Sequence, residues 1–366
     1  MAILDQLSAK LDRLAAFEAG PYPVVSLYLN TQPDQNGRDR FEPFLRKELA
    51  ERLRTYAASG PERDSLDKDA ERLRSYVGGI EPSVNGVAAF SCSAAGLFET
   101  VELAAPVAEH RMFISDLPHL YPLARLLDEY PRYAAVVADT SSARIFVFAA
   151  NTVERTEQIE GTRTPRQKMG GWSQARYQRH IENFHVQHAK EIAETLARVV
   201  REDRITSVVI SGSEVILPLL KEQFSKEVAE RIIDVVKLDI RAPQREVLEK
   251  TIAALRQKDS ETDREKVETL IGAYRANGLG VVGYEDTKAA LELGQVEELI
   301  VTASADAIDA GEKRAGDVLP DRTVEERAAD ELITGARQTA ARIRFIEDRS
   351  LLEAVGGVGA LLRFKV

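Results

Sequence analysis

The sequence is poor in cysteine and has no long apolar run. Its single cysteine, Cys92, excludes an internal disulfide and a cysteine-rich metal site. The residue lies in an apolar stretch that predicts a buried strand, so we expect an inert core thiol. No segment approaches the roughly 18 apolar residues that a membrane helix needs, and the first residues lack the order of a signal peptide. We therefore expect a cytoplasmic protein with no membrane partner.

Fingerprints of nucleotide and metal sites are also missing. The Gly-Ser-Glu turn at 212–214 is too short for a phosphate-binding loop. His180, His185 and His188 fall on one predicted helix, but no acid or cysteine completes a metal site there. The neighbouring Arg176 and Arg179 disfavour a cation. We expect no cofactor and no metal, and we expect the histidines to face RNA or to lie on the helix surface.

The chain lacks the positive surplus of a general nucleic-acid binder. Its net charge of −10 argues against DNA as a partner and against a broadly basic surface. The charge is uneven: residues 281–330 contain 13 acidic and 5 basic residues, whereas residues 161–180 contain 5 basic residues and no acidic one. Those five are Arg163, Arg166, Lys168, Arg176 and Arg179. A basic segment on an acidic protein predicts a local anion-binding site.

The 366 residues exceed one ordinary core and suit two or three domains. Strand and helix patterns alternate in three blocks, which we place at 1–125, 126–274 and 275–366. In the middle block two strands flank the turn at 139–142, and segment 153–161 is predicted to continue the second strand. This block predicts a mixed sheet with crossover helices, and the last block predicts a small αβα sandwich. The prediction is an α/β fold with three domains.

Residues 161–188 carry the most informative motif, GTRTPRQKMGGWSQARYQRHIENFHVQH. The glycine pair at 170–171 is unfavourable in a helix and suits a loop that approaches a bulky partner. Trp172 is the only tryptophan, and Gln174 stands at the start of a helix predicted over 175–201. Arginines bind phosphates, an indole stacks on a base and an amide reads base edges. The segment therefore predicts an RNA-binding loop.

This segment resembles the middle domain of the archaeal and eukaryotic class I peptide release factors and of their relative Pelota. In release factors a basic Gly-Gly-Gln loop precedes a long helix. Residues 168–176 here have a similar pattern and also precede a predicted helix. Two further segments match in order. GYEDTKAALELGQVEELIV (283–301) and GGVGALLRFKV (356–366) resemble the start and the closing strand of the family's third domain. The chain is identified as a bacterial-type member of this superfamily.

The resemblance implies a diverged N-terminal α/β domain, an RNase H-like middle domain with a loop over 161–175, and a C-terminal αβα domain. It implies the ribosome and tRNA as partners, with a translational GTPase as a further partner. By the same resemblance, catalytic roles fall to Gly170, Gly171 and Gln174. RNA-binding roles fall to Arg163, Arg166, Lys168, Trp172, Arg176, Arg179 and His180.

The sequence departs from the family pattern in two places. Trp172 and Ser173 separate Gly171 from Gln174, whereas the family's tripeptide is contiguous. An extended chain spans roughly 3.3–3.6 Å per residue, and a misplacement of about 1 Å can cost about a hundredfold in rate. The first block also has no Asn-Ile-Lys-Ser tetrapeptide or comparable codon-reading motif, so stop-codon reading is not predicted.

Three functions stay open on these residues. The Trp-Ser insertion favours a non-enzymatic factor that occupies the ribosomal A site in rescue or hibernation. The retained Gln174 keeps open a peptidyl-tRNA hydrolase. A nuclease acting on tRNA ends would need a general base, for which His180 and Asp139 are the candidates. Asp139 is better explained as part of an Asp-Thr-Ser-Ser turn.

Overall fold

The computed structural model describes residues 3–18, 20–34, 37, 39–161, 174–311 and 322–365, and for residues 174–178 it describes the backbone alone. The chain forms two compact units: one contains residues 3–129 and 262–366, and the other contains residues 130–261. Three sheets give the chain the α/β fold that the sequence predicts. The predicted domain boundaries themselves stay predictions. No helix in the described ranges is long and apolar enough to cross a membrane.

The first unit begins with a four-stranded antiparallel sheet in the order β3-β2-β1-β4. Its strands are β1 (Val24–Asn30), β2 (Gly86–Cys92), β3 (Leu97–Leu103) and β4 (Arg111–Ser115). The helices of this part are α1 (Ile3–Ala15), α2 (Phe41–Leu53), α3 (Pro61–Val77) and α4 (Tyr121–Glu129). Leucines at helical spacing on α2 and α3 pack on one face of the sheet. Burial raises the pKa of the Cys92 thiol, as expected of an inert core cysteine.

A buried carboxylate ties α3 to the turn after β2. Asp69 is fully buried, and the hydroxyls of Ser91 and Ser93 donate hydrogen bonds to its Oδ1 at 2.6 and 2.5 Å. The Ser65 hydroxyl lies 3.4 Å from Asp69 Oδ2 and accepts a bond from the amide of Ala94 at 3.0 Å. These bonds fix the turn on which β2 and β3 reverse.

The second unit has one mixed sheet in the order β7-β6-β5-β8-β9. Its strands are β5 (Tyr133–Ala138), β6 (Ser142–Ala149), β7 (Thr152–Glu160), β8 (Val208–Gly212) and β9 (Ile232–Val235). Its helices are α5 (Gln174–Glu202), α6 (Ile216–Gln223), α7 (Lys226–Ala229) and the first part of α8 (Gln244–Arg275). β5 pairs with β6 antiparallel and with β8 parallel. The predicted mixed sheet with crossover helices is confirmed.

Side chains alternate across β5, so both faces of this sheet are covered. Ala134, Val136 and Ala138 share a core with α5 and α6. Tyr133 and Val137 share the other core with the start of α8. The sheet is therefore a rigid layer between helices, and it supports the turn at 139–142 and the end of β7.

Segment 153–161 does not continue β6, and that prediction was wrong. The chain reverses at Ala150 and Asn151, which have φ angles of 47° and 63°, and β7 then pairs antiparallel with β6. Positive φ at two successive residues is typical of a two-residue hairpin turn. Asparagine adopts this conformation more readily than most residues. Without a glycine at either position, the sequence gives little sign of the turn.

The remaining part of the first unit is a four-stranded mixed sheet in the order β10-β13-β11-β12. Its strands are β10 (Gly280–Val282), β11 (Val296–Thr302), β12 (Arg342–Ile346) and β13 (Val358–Leu362), and its helices are α9 (Tyr284–Glu292) and α10 (Val324–Gln338). The turn before β13 needs glycine. Gly357 has a φ of 78°, and a Cβ there would lie 2.3 Å from the carbonyl oxygen of Ala307.

Candidate nucleic-acid interface

Most of the predicted interface lies outside the described residues. This holds for Arg163, Arg166, Lys168, Gly170, Gly171 and Trp172, whose roles stay predictions. Gln174 and Arg176 belong to α5, which begins at Gln174, so the helix starts where the sequence places it. The geometry of the interface therefore comes from its two ends, Gly161 at the end of β7 and the first turns of α5.

The start of α5 presents a basic residue and an imidazole to solvent. Arg179 and His180 are both exposed. The His180 ring meets the Phe184 ring edge-on, with centroids 4.5 Å apart and planes at 76°, so a packed neighbour limits its orientation. An exposed guanidinium can bind a phosphate, and an exposed imidazole can stack on a base or donate a hydrogen bond.

Gly161 holds the other end of the segment against the sheet. Its amide donates a hydrogen bond to the Ser141 carbonyl at 2.8 Å. A Cβ at this position would lie 3.0 Å from that carbonyl oxygen and 3.2 Å from Nδ1 of His188. Both distances are shorter than ordinary van der Waals contact. The close approach of three elements therefore favours glycine here, because any side chain would require its neighbours to shift.

Asp139 shapes the turn that carries the Ser141 carbonyl. Its Oδ1 accepts bonds from the amides of Ser141 and Ser142, both at 2.7 Å, and from the Ser141 hydroxyl at 2.9 Å. Partial burial raises the pKa of the Asp139 carboxyl, but these hydrogen bonds outweigh it and lower the pKa overall. The geometry supports the turn explanation of Asp139 rather than the role of a nuclease base.

His188 is not on the helix surface, and that expectation was wrong. The residue is 4% exposed and packs against Gly161. Neither ring nitrogen has a hydrogen-bond partner among the described residues. Ile181, Phe184 and Ile192 stand at helical spacing from His188, so the periodicity of α5 places the imidazole on the apolar face. That spacing was available in the sequence.

No three histidine, cysteine, aspartate or glutamate side chains in the described ranges come together to hold a metal ion. A cleft of about 280 Å³ lies along α9 and α10 and is lined in part by Lys288 and Glu331. Lys288 Nζ lies 2.5 Å from Glu331 Oε2, and the Tyr284 hydroxyl donates to the same oxygen at 2.6 Å. Burial works against the charge on Lys288, yet these bonds raise its pKa to about 12. The lysine is therefore a charged partner of Glu331 and not a nucleophile.

Comparisons with known proteins cover most of the chain. Residues 118–256 match the family model "Bacterial archaeo-eukaryotic release factor family 10", and residues 261–366 match "eRF1 domain 3". Peptide chain release factor subunit 1 of Thermococcus onnurineus (strain NA1) is 22% identical over 415 residues, covering 99% of this chain and 98% of the relative. The same protein of Aeropyrum pernix is 22% identical over 272 residues, covering 70% and 66%. A structure of ribosome-bound archaeal Pelota and ABCE1 matches at 16% identity, 99% and 94% coverage and a TM-score of 0.42.

Proposed function

Because the chain belongs to the bacterial archaeo-eukaryotic release factor family, which is related to the class I release factors and Pelota, we propose that it is a translation factor that binds the ribosome and tRNA. In this proposal it occupies the ribosomal A site during ribosome rescue or hibernation. Residues 161–180 enter the RNA site, and a translational GTPase is a further partner.

The observation that carries the proposal is the concentration of positive charge in residues 161–180, the segment that leads into α5. Five basic residues and no acidic one fall within residues 161–180 of a chain whose net charge is −10. Arg179, the last of them, is exposed beside His180. At the other end of the segment, Gly161 is bonded to the supporting sheet. A basic segment that starts at a glycine bonded to the sheet and leads into a long helix suits the binding of RNA phosphates.

Occupancy is favoured over catalysis by the Trp172–Ser173 insertion. Hydrolysis of the peptidyl-tRNA ester would require the Gln174 amide to place a water within a fraction of an ångström. Two extra residues displace that amide relative to the glycine pair, whereas binding tolerates such a shift. Peptidyl-tRNA hydrolysis remains the alternative because Gln174 is retained. Cleavage of tRNA ends is weaker, since Asp139 is engaged in its turn.

The salt dependence of ribosome binding tests the proposal. Each phosphate neutralised on single-stranded RNA contributes about −0.7 to the slope of log affinity against log salt. Arg163→Ala combined with Lys168→Ala should therefore flatten the slope by more than about one unit. The matched control is Lys226→Ala with Arg245→Ala, which removes two bases whose side chains are 90% and 89% exposed on the same unit. The control should leave the slope unchanged.

Two results would contradict the proposal. In the first, the affinity of the unaltered protein for ribosomes and tRNA does not respond to salt. In the second, the control pair flattens the slope as much as the pair from the basic segment does. The measurement is ribosome co-sedimentation over a series of salt concentrations.

A further inference from the structure

Helix α4 spans the boundary between the first two sequence blocks, yet it packs against the sheet of the last block. It packs along β12, the outermost strand of the order β10-β13-β11-β12. Asp128 Oδ2 accepts a hydrogen bond from the amide of Phe345 at 3.1 Å. The Tyr121 ring meets the Phe345 ring edge-on at 5.2 Å, and its hydroxyl donates to the carbonyl of Thr302. An exposed edge strand can pair with other chains. Because α4 covers the free edge of β12, that edge is protected.

The first turn of α4 is capped by a residue from α10. The amides of Leu120 and Tyr121 donate to Oδ1 of Asp330 at 2.8 and 2.9 Å. Helices leave their first amides unpaired, and a cap is normally supplied by a residue just before the helix. Here the cap comes from the far end of the chain. A carboxylate at the positive end of the helix also interacts favourably with its dipole.

The charge of Asp330 is balanced by basic groups at the same contact between α4 and α10. Asp330 is fully buried, and its Oδ2 lies 2.8 Å from Nη1 of Arg322 and 2.6 Å from Nδ1 of His119. Arg322 is itself buried and donates to the carbonyl of Leu117 at 2.7 Å. Its guanidinium lies 5.8 Å from the centroid of the Phe113 ring. Moving α4 away from α10 would separate the buried Asp330 carboxylate from the His119 imidazole and from the first amides of α4.

Polar bonds around the rim extend the contact to α1 and β4. The partners are Arg337 with Asp12 at 2.7 Å, Arg337 with the Ser8 hydroxyl at 2.6 Å, Gln338 with the Ala15 carbonyl at 2.8 Å, Arg111 with Glu326 at 2.9 Å, and Arg327 with Asp116 at 2.8 Å. Exposed pairs of this kind contribute little singly. Together they surround the buried contact at Asp330 and fix the angle at which α10 packs against the N-terminal part.

We infer that the described parts of residues 3–129 and 262–366 act as one rigid body held by the α4 joint, which consists of α4, His119, Arg322 and Asp330. The N-terminal sheet has no hinge of its own relative to the C-terminal sheet. Surfaces on the two sheets therefore bind and release their partners together. This inference is independent of the proposed function, because it concerns only contacts within the chain.

A nicking experiment on the full chain tests the joint. A site for a sequence-specific protease is inserted between Glu129 and Tyr130, where the chain leaves the first unit, and the folded protein is cleaved. The fragment 1–129 should co-elute with the remainder in gel filtration. In Asp330→Ala the fragment should be released. The control is Glu353→Ala, which alters an exposed acid of the same sheet region and should leave the pieces together.

Milder variants keep the test decisive if Asp330→Ala does not fold. Tyr121→Phe removes only the bond to Thr302, Asp128→Asn weakens the bond to Phe345, and Asp330→Asn removes the charge but keeps an acceptor. Each should speed release of the nicked fragment at least tenfold. Amide exchange should also accelerate at Leu120 and Tyr121 in Asp330→Asn. Separation of the unaltered protein on nicking, or release from all three variants no faster than from Glu353→Ala, would overturn the inference.

Discussion

At the scale of single residues, Gly161 stands where a methyl group would lie closer to the Ser141 carbonyl and to His188 than ordinary van der Waals contact. Gly161→Ala should lower the free energy of unfolding by about 1–3 kcal/mol, the usual cost of overpacking a close contact. The Ser141 carbonyl cannot move aside easily, because the Asp139 turn holds it. Gly272→Ala is the matched control, since Gly272 lies within α8 with no atom near its missing Cβ.

The control should raise stability by about 0.5–1 kcal/mol, because alanine is the better helix former. Urea denaturation measures both changes. If Gly161→Ala is as stable as the unaltered protein, the close approach of Ser141 and His188 does not constrain this position.

Trp172 and Gln174 separate the two leading functions. Stacking of an aromatic ring on a base contributes about 1–3 kcal/mol, whereas a neutral hydrogen bond contributes about 0.5–1.5 kcal/mol. An occupancy factor should therefore lose more ribosome affinity in Trp172→Ala than in Gln174→Ala, and it should release no peptide from peptidyl-tRNA. Clear hydrolysis by the unaltered protein that disappears in Gln174→Ala would instead establish the enzyme.

His188 shows what residue patterns can and cannot reveal. Its burial follows from its spacing to Phe184 and Ile192, so the sequence contained the information. Its contact with Gly161 does not follow from any local pattern. Gly161 and His188 are 27 residues apart in the chain, and only the packing of α5 on the sheet brings them together.

At the scale of elements, Asp69 links α3 to the reversal between β2 and β3. Asp69→Ala should cost about 2–4 kcal/mol, since the buried Ser91 hydroxyl loses its acceptor at about 1–3 kcal/mol and the half-buried Ser93 hydroxyl at about 1 kcal/mol. Glu71→Ala, on an exposed position of the same helix, should change stability by less than about 0.5 kcal/mol. Chemical denaturation compares the two. An equally small effect at both positions would show that Asp69 is not an anchor.

Helices and strands with a clear hydrophobic periodicity were predictable from the sequence, whereas isolated turns were not. The buried strand that contains Cys92 lies where the sequence predicts it, and α5 begins within one residue of its predicted start. The reversal at Ala150–Asn151 was missed, because its conformation is imposed by strand pairing and not by a glycine. The position of α4 on β12 was also not predictable, since an amphipathic helix shows that one face is buried but not which partner buries it.

At the scale of the whole molecule, the two compact units have separate cores. We expect two transitions in calorimetry, because cooperative unfolding usually follows such units. Asp69→Ala should lower the transition of the first unit, and Gly161→Ala that of the second. A loss of 1 kcal/mol corresponds to about 2–4 °C for the first unit and to a somewhat larger shift for the second, which has fewer than 150 residues. A single transition that both variants shift equally would contradict this division.

The union of the first and last blocks in one unit was not visible in the sequence. The change of pattern near Tyr133 and again near Gly280 marks where one sheet ends and another begins. It does not show that Asp330 would meet His119 across more than 200 residues. Contacts of that kind depend on complementary surfaces, which a single sequence does not display.

Because Asp330 caps α4, α4 cannot complete its contacts until the C-terminal part of the chain has been synthesised. Residues 121–129 leave the ribosome well before residues 342–346, and at about 5–20 residues per second the interval is roughly 10–40 s. During that time the apolar face of α4 is exposed and its first amides are uncapped, because Asp330 and β12 have not yet been synthesised. Nascent chains should therefore need shielding at this helix, and a chain truncated before Ile346 should leave its N-terminal part unfinished as well.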